Sequence, residues 1–111
     1  MEKNMTAEQN KILRTVPREK AFYFFTSIGN YTGVSAISLK EFMEKINVVD
    51  VKSLEFHLLR RDFEKWISEV LQDNELAAEF RKLQEANLTG YPLRNRLYVA
   101  VSKRLKNLNS A

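Results

Sequence analysis

Apolar residues at helical spacing constrain the fold of this chain more than any other feature of its sequence. Phe63, Trp66, Ile67, Val70 and Leu71 follow an i, i+3, i+4, i+7, i+8 pattern, which places all five on one face of a helix. Such a face is stable only when it packs against another apolar surface. The pattern therefore predicts a helix that lies along a hydrophobic core.

Helix start signals precede three other apolar segments. Thr6 and Gln9 have the spacing of a capping box, and so do Ser38 and Glu41, because a side chain three residues into a helix can reach back to the capping residue. Asp50 is placed to cap a further helix. The helix after Thr6 is expected to end near residue 15, because the proline at position 17 disfavours helical geometry just before it.

The second half of the chain contains further start signals. Asp62 is predicted to cap the helix that begins with Phe63, and Asp73 or Asn74 is predicted to cap the next helix. Pro92 is predicted to open a last helix over residues 92–108. A chain of 111 residues suits one hydrophobic core. We therefore predict an all-α fold, a compact bundle of about five or six short helices that forms a single domain over residues 1–111.

Residues 18–28 permit two interpretations. Four consecutive aromatic residues, 22–25, conceal any period, and aromatic residues are also typical of strands. We prefer a buried helix, because Phe22, Phe25 and Ile28 have helical spacing and Gly29 is a natural helix stop. The strand remains the alternative. Residues 29–33 are then expected to form a tight loop, since two glycines permit positive φ.

Positive charge is concentrated at the end of the chain. Residues 88–111 contain five basic side chains and no acid, while the remainder holds 13 basic and 14 acidic side chains. On a helix, Arg96, Lys103 and Lys106 fall on the face opposite the apolar one. These three residues are candidates for binding an acidic partner such as RNA, the ribosome or an acidic protein. A solvated helix end whose cations complement the helix dipole is the alternative.

Several classes of protein are not expected. The chain has no cysteine and one histidine, so we predict no metal site, since zinc sites use at least three protein ligands, and no disulfide. No phosphate-binding or dinucleotide-binding motif is present, and we expect no cofactor. The apolar segments are too short to span a membrane and no signal peptide is apparent, which favours the cytoplasm.

The segment around His57 has the richest chemistry. Ser53 and His57 lie one helical turn apart and Asp62 could orient the imidazole, which leaves a small hydrolase as one hypothesis. No oxyanion hole or nucleophile motif accompanies them, so we favour a non-catalytic interpretation. Asp62, together with Glu64 and the helix residue Trp66, is predicted to brace a polar helix junction with the neighbouring arginine at position 60.

A ligand site is the remaining possibility for this region. Tyr31, Thr32, His57 and Arg60 would offer aromatic faces and fixed hydrogen-bond donors if all four side chains lined one cavity. A sugar or an anion would suit such a site. Its formation depends on spatial proximity, which spacing along the chain does not determine.

Three sequence blocks together carry a resemblance to a known family. They are FYFFTSIGNYTG at residues 22–33, SLKEF at 38–42 and SLEFHLLRRDFEKWI at 53–67. Over about residues 20–83 the chain resembles a small family of unknown function from archaea and bacteria. Its members look like independent proteins or modules attached to larger enzymes, some of them carbohydrate-active. Family members tend to have glycine where this chain has Arg61.

These observations lead to one functional expectation and two alternatives. We expect a non-catalytic binding or adaptor protein whose basic last helix docks on RNA, the ribosome or an acidic protein. The resemblance implies the first alternative, a ligand-sensing or accessory domain of carbohydrate metabolism that uses Tyr31, Thr32, His57 and Arg60. The second alternative is a hydrolase that depends on His57.

Overall fold

The structure is a computed structural model that describes residues 6–109. One helix precedes a β-hairpin, and a chain of helices follows it. The elements are helix α1 (Ala7–Leu13), strands β1 (Phe22–Ser27) and β2 (Asn30–Ala36), and helices α2 (Leu39–Ile46), α3 (Val51–Leu59), α4 (Asp62–Lys65), α5 (Asn74–Glu85) and α6 (Gly90–Asn109). A 3₁₀ turn (Arg18–Lys20) leads into β1, and α4 continues directly as a π-helix (Trp66–Leu71).

The two antiparallel strands make this an α+β fold, so the all-α prediction is wrong. The preferred helix at residues 18–28 is wrong as well, and the strand alternative is confirmed. Phe22 and Phe24 are buried on the inner face of the hairpin, whereas Tyr23 is exposed and Phe25 half-buried on the outer face. Because both faces carry aromatic residues, the period of two that marks a half-buried strand is absent from the sequence.

The expected loop at residues 29–33 is mostly strand. The hairpin turns at Ile28 and Gly29, and Gly29 has a φ of +80°, a value that glycine adopts without steric cost. Gly33 also has a positive φ, in a region where the strand register shifts. Beside it the Thr32 hydroxyl donates to the carbonyl of Phe24 at 2.7 Å. Thr32 therefore stabilises the irregular part of the hairpin.

Most predicted helix starts are confirmed. Thr6 and Gln9 form both bonds of a capping box, and the side chains of Ser38, Asp50 and Asp73 each accept a backbone N–H of the helix they precede. The predicted second bond of the capping box at Ser38 is not formed. The Glu41 carboxylate accepts the N–H of Ile37 instead of that of Ser38. The last helix begins at residue 90, two residues before the predicted proline.

The start of α4 corrects one prediction. Arg61, not Asp62, is the N-cap, and Arg61 adopts a left-handed conformation with φ of +65°. Because the chain turns sharply at Arg61, Asp62 is the first residue of the helix. Its carboxylate then points to His57 and Arg60 instead of capping the backbone.

An aromatic cluster joins the hairpin to the helices. Phe22 and Phe24 of β1 contact Phe42 of α2 and Phe63 of α4, and Phe80 of α5 packs on the far side of the same cluster. Helix α6 runs across α2, α3 and α5 and buries one face of five residues, Leu93, Leu97, Val101, Leu105 and Leu108. Strand β1 packs against α3, and β2 is the only strand paired to β1 within residues 6–109.

Candidate functional site

His57 lies between β1 and the start of α4, and both of its ring nitrogens are engaged. The Phe25 backbone N–H donates to Nε2 at 2.8 Å, and Nδ1 lies 2.8 Å from a carboxylate oxygen of Asp62. Because Nε2 accepts a proton donor, Nδ1 must carry the ring hydrogen and donate it to Asp62. These bonds select the neutral tautomer of His57 that carries its proton on Nδ1, and they attach the hairpin to α3.

Burial of the ring favours the same neutral form. It lowers the pKa of His57 below 6.5, although the hydrogen bond and the charge of Asp62 act in the raising direction. The Phe22 ring lies 4.8 Å from the imidazole, centroid to centroid. Burial among such rings excludes the water that would solvate an imidazolium ion, so the charged form is disfavoured here.

Arg60 completes the polar cluster at the protein surface. Its Nε donates to the same Asp62 oxygen at 3.1 Å, and its guanidinium carbon lies 5.0 Å from the centroid of the Phe56 ring. Half of the Arg60 side chain remains exposed. Asp62 is thereby held by a buried donor on one side and a solvated cation on the other.

The geometry gives no support to the hydrolase hypothesis. Ser53 is fully buried, and its hydroxyl has no hydrogen-bond partner among the described residues. The base nitrogen that would activate a nucleophile, Nε2 of His57, already accepts a backbone N–H. A general base must have that lone pair available for the proton it removes.

A groove of about 500 Å³ opens beside this cluster, a volume typical of ligand sites. We call it the β1 groove. One wall is β1 and its flank, through residues 21, 23, 25 and 27, and the other is formed by α3, α4 and the π-helix, through Phe56, Arg60, Lys65 and Trp66. Ile28 extends over one end with 83% of its surface exposed. The lining is mainly apolar, with charged side chains at the rim.

The four residues predicted to share one cavity do not do so. His57 and Arg60 line the β1 groove, whereas Tyr31 and Thr32 line a separate depression. Tyr31 packs on the outer face of the hairpin against the rings of Tyr23 and Phe25. The ligand site that required all four side chains together is therefore not formed.

Asp62, Glu64 and Trp66 all brace the structure, but through different partners. Asp62 binds His57 and Arg60, as described above. The Glu64 carboxylate accepts two hydrogen bonds from Arg81 of α5 at 2.8 and 3.0 Å. The Trp66 indole donates to the carbonyl of residue 20 at 2.7 Å, which secures the chain just before β1.

Sequence reasoning missed most of the residues that line the β1 groove. Phe25, Phe56, Lys65 and the exposed Ile28 all contribute to it, and none was a predicted site residue. Ile28 offered a signal, because a large apolar residue directly before a turn glycine is exposed without a structural need. The other three could be identified only once the strand and the helices were placed side by side.

Arg104 and Arg94, two cations near the end of the chain, bind other parts of the fold. Arg104 is half-buried and donates to both carboxylate oxygens of Asp73 at 2.9 and 3.1 Å, and it also pairs with Glu75. Burial acts to lower the pKa of Arg104, but these two carboxylates outweigh it and raise that pKa above its usual range. Arg94 donates to the carbonyl of Val49. These two residues are therefore not part of a docking surface.

The three predicted basic residues lie on the solvent side of α6. Arg96, Lys103 and Lys106 are exposed, as the helical spacing predicted. Arg96 and Lys103 make no ion pair within residues 6–109. Val99 lies between Arg96 and Lys103 in the sequence and is 44% exposed. We call Arg96, Val99, Lys103 and Lys106 the basic face of α6.

Two further features are absent from the part of the chain that the structure describes. No group of three or more metal-ligating side chains occurs there. None of its helices combines the length and the apolar character that crossing a bilayer requires.

Comparison with known proteins identifies a family. No curated protein and no solved structure matches the chain significantly. The model of a family of unknown function, DUF5752, matches residues 1–102. The match extends beyond the segment on which the resemblance was based and includes Arg96 but not Lys103. The chain therefore belongs to the DUF5752 family of unknown function.

Proposed function

We propose that this protein is a non-catalytic binding protein of the cytoplasm, and that the β1 groove holds an apolar segment of a partner protein. The observation that carries the proposal is the groove itself, an apolar cleft of about 500 Å³ on a molecule whose other large apolar side chains are mostly buried. Exposed apolar surface rimmed by polar residues is typical of interaction sites.

The His57 cluster supports binding over catalysis. Both nitrogens of His57 serve internal hydrogen bonds, so the ring contributes a rigid floor to the groove. Rigid walls lower the entropic cost of ordering a site when a ligand binds. The lining contains Arg60 and Lys65 as well as Asp62 and Glu69, so the rim carries both signs of charge and selects no strongly charged ligand.

The test is a search for ligands followed by a matched pair of variants. A displayed library of random linear peptides is panned on the purified full chain, and the affinity of one enriched peptide is measured by fluorescence anisotropy. Ile28→Asp alters the groove, whereas Val48→Asp alters another largely exposed apolar residue that lies outside it. Both positions tolerate polar side chains structurally because they face solvent.

Ile28→Asp is expected to weaken binding by about tenfold or more, since covering an isoleucine side chain contributes roughly 1.5–3 kcal/mol. Val48→Asp is expected to change the affinity less than about twofold. Equal affinities for the two variants would show that the peptide binds elsewhere, and the groove would lose its proposed role.

A second candidate function is docking of the basic face of α6 on an anionic partner such as RNA, the ribosome or an acidic protein. It is favoured by the exposure of Arg96 and Lys103 and by the absence of any acidic residue from the sequence of α6. With only a few cations, such contact would be weak and sensitive to salt.

Labelled single-stranded RNA tests the second candidate. Its affinity is expected to fall about tenfold between 50 and 200 mM salt, and to fall in the double variant Arg96→Gln, Lys103→Gln. The control is Lys40→Gln, Lys52→Gln, which removes the same charge from other exposed positions. RNA binding that both double variants retain equally would exclude the basic face as the site.

A further inference from the structure

The outer edge of β1 faces the β1 groove. Strand β1 pairs with β2 along one edge only, and within residues 6–109 no strand covers the other. Residues 21, 23, 25 and 27 line the groove together with Phe22, and on a strand the N–H and C=O of every second residue point to the same edge. The groove thus runs beside main-chain groups as well as apolar side chains.

Part of this edge is already satisfied by the fold. Within the strand the Phe25 N–H donates to His57, and just before the strand the carbonyl of Lys20 accepts from Trp66. Alternation places the N–H and C=O of Tyr23 on the same side as the Phe25 N–H. No group from outside the hairpin bonds to the Tyr23 main chain among the described residues.

We propose that the β1 groove binds an extended peptide segment of a partner protein, which adds to the outer edge of β1 as a third strand and pairs with the main chain of Tyr23. This inference rests on the proposed function and specifies its ligand. An open strand edge beside an apolar cleft is the arrangement that suits strand addition, in which main-chain bonds provide affinity and alternate side chains enter a pocket.

The side chains in the groove determine what the peptide must carry. Phe56, Ile28 and the edge of Trp66 offer apolar surface for one side chain of the added strand. The charges at the rim nearly cancel, so neither an acidic nor a basic peptide is favoured. We therefore expect an apolar residue flanked by polar ones, and binding that changes little with salt, in contrast to docking on the basic face of α6.

Backbone methylation of the enriched peptide tests strand addition directly. A methyl group on an amide nitrogen removes one main-chain donor and blocks close approach of the strand, while every side chain is retained. Methylation at the amides that face β1 is expected to weaken binding about tenfold or more, and methylation at the alternate amides less than about twofold. A peptide that tolerates both series equally would overturn strand addition.

A pair of protein variants provides the second arm. Tyr23→Pro removes the N–H that faces the groove, while Tyr23→Ala keeps it and removes the side chain. Because that N–H points away from β2, proline is compatible with this edge of the hairpin, and thermal unfolding with circular dichroism verifies that each variant folds. Tyr23→Pro is expected to lose about tenfold more affinity than Tyr23→Ala. Equal losses would contradict the proposal.

The outcomes separate this inference from the proposed function. If Ile28→Asp weakens the peptide but neither methylation series does, the groove is a binding site and strand pairing is refuted. Sedimentation velocity of the free protein tests whether a second copy of the chain occupies the β1 groove. A dimer that Tyr23→Pro converts to monomer would refute a partner peptide, whereas a monomer in both cases supports it.

Discussion

At the scale of single residues, His57 shows how hydrogen bonding determines the role of a titratable side chain. A lone histidine next to a serine and an aspartate in sequence suggests a catalytic group, but the Phe25 N–H occupies the nitrogen that catalysis would need. Asp62 holds the other nitrogen. The imidazole acts as a neutral connector between the hairpin and α3, and this role depends on pH.

Stability is expected to decrease as the pH falls below 6.5. The folded state has a His57 pKa below that value, so between the two pKa values the unfolded chain binds a proton that the folded chain does not, and acidification favours unfolding. Above pH 6.5 the contribution is fully present. Urea unfolding from pH 7 to 5 should show a slope of at most about 1.4 kcal/mol per pH unit.

The control for this prediction is His57→Gln, which removes the only histidine of the chain. Its unfolding free energy at pH 7 should be lower, and its slope between pH 7 and 5 flatter than in the wild type. Equal slopes in the two proteins would mean that carboxylates account for the pH dependence.

Ser53 is a buried hydroxyl without a partner in the described structure. Ser53→Ala is expected to stabilise the protein by about 1 kcal/mol, since an unsatisfied buried polar group is costly. Chemical unfolding measures the change, and Ser102→Ala on α6 reports the part that is due to helix propensity. A marked loss of stability in Ser53→Ala alone would show that the hydroxyl has a partner.

At the scale of the elements, the junction between α3 and α4 depends on one unusual backbone conformation. Arg61 has a φ of +65°, which costs a residue with a Cβ atom roughly 1 kcal/mol. The turn is nevertheless required, because it brings Asp62 of α4 back to His57 of α3. A left-handed φ favours glycine, which is the residue that the resemblance implied at this position.

Arg61→Gly is expected to raise the unfolding free energy by roughly 0.5–1 kcal/mol, because glycine adopts this φ without strain. The gain is reduced by the loss of the hydrogen bond from Arg61 to Gln84, which is exposed and contributes little. Arg61→Ala loses the same bond but keeps the strain, so it serves as the control. Equal effects of the two substitutions in urea unfolding would contradict strain as the cause.

At the scale of the whole molecule, an ion pair attaches α6 to the beginning of α5. Asp73 is 1% exposed and both caps α5 and accepts two hydrogen bonds from Arg104. Part of the positive charge near the end of the chain, that of Arg104, thus holds the last helix in place. Arg96 and Lys103 of the basic face of α6, by contrast, are exposed.

Arg104→Gln is expected to destabilise the protein by about 3 kcal/mol, because it leaves the carboxylate of Asp73 buried without its cation. Arg96→Gln removes the same charge from an exposed position and should change the unfolding free energy by less than about 0.5 kcal/mol. Thermal or urea unfolding measures both. Similar values for the two variants would show that the buried pair contributes no more than a surface charge.

The sequence by itself determined the helical segments, because caps such as Ser38, Asp50 and Asp73 act within a few residues, and it also determined that Arg96 and Lys103 face solvent. It did not determine the hairpin, because aromatic residues on both faces of β1 hide the alternation of a strand. Only the tertiary structure decided the role of His57 and the existence of the β1 groove. Both depend on contacts between residues more than 30 positions apart, such as that between Phe25 and His57, and no local pattern encodes such contacts.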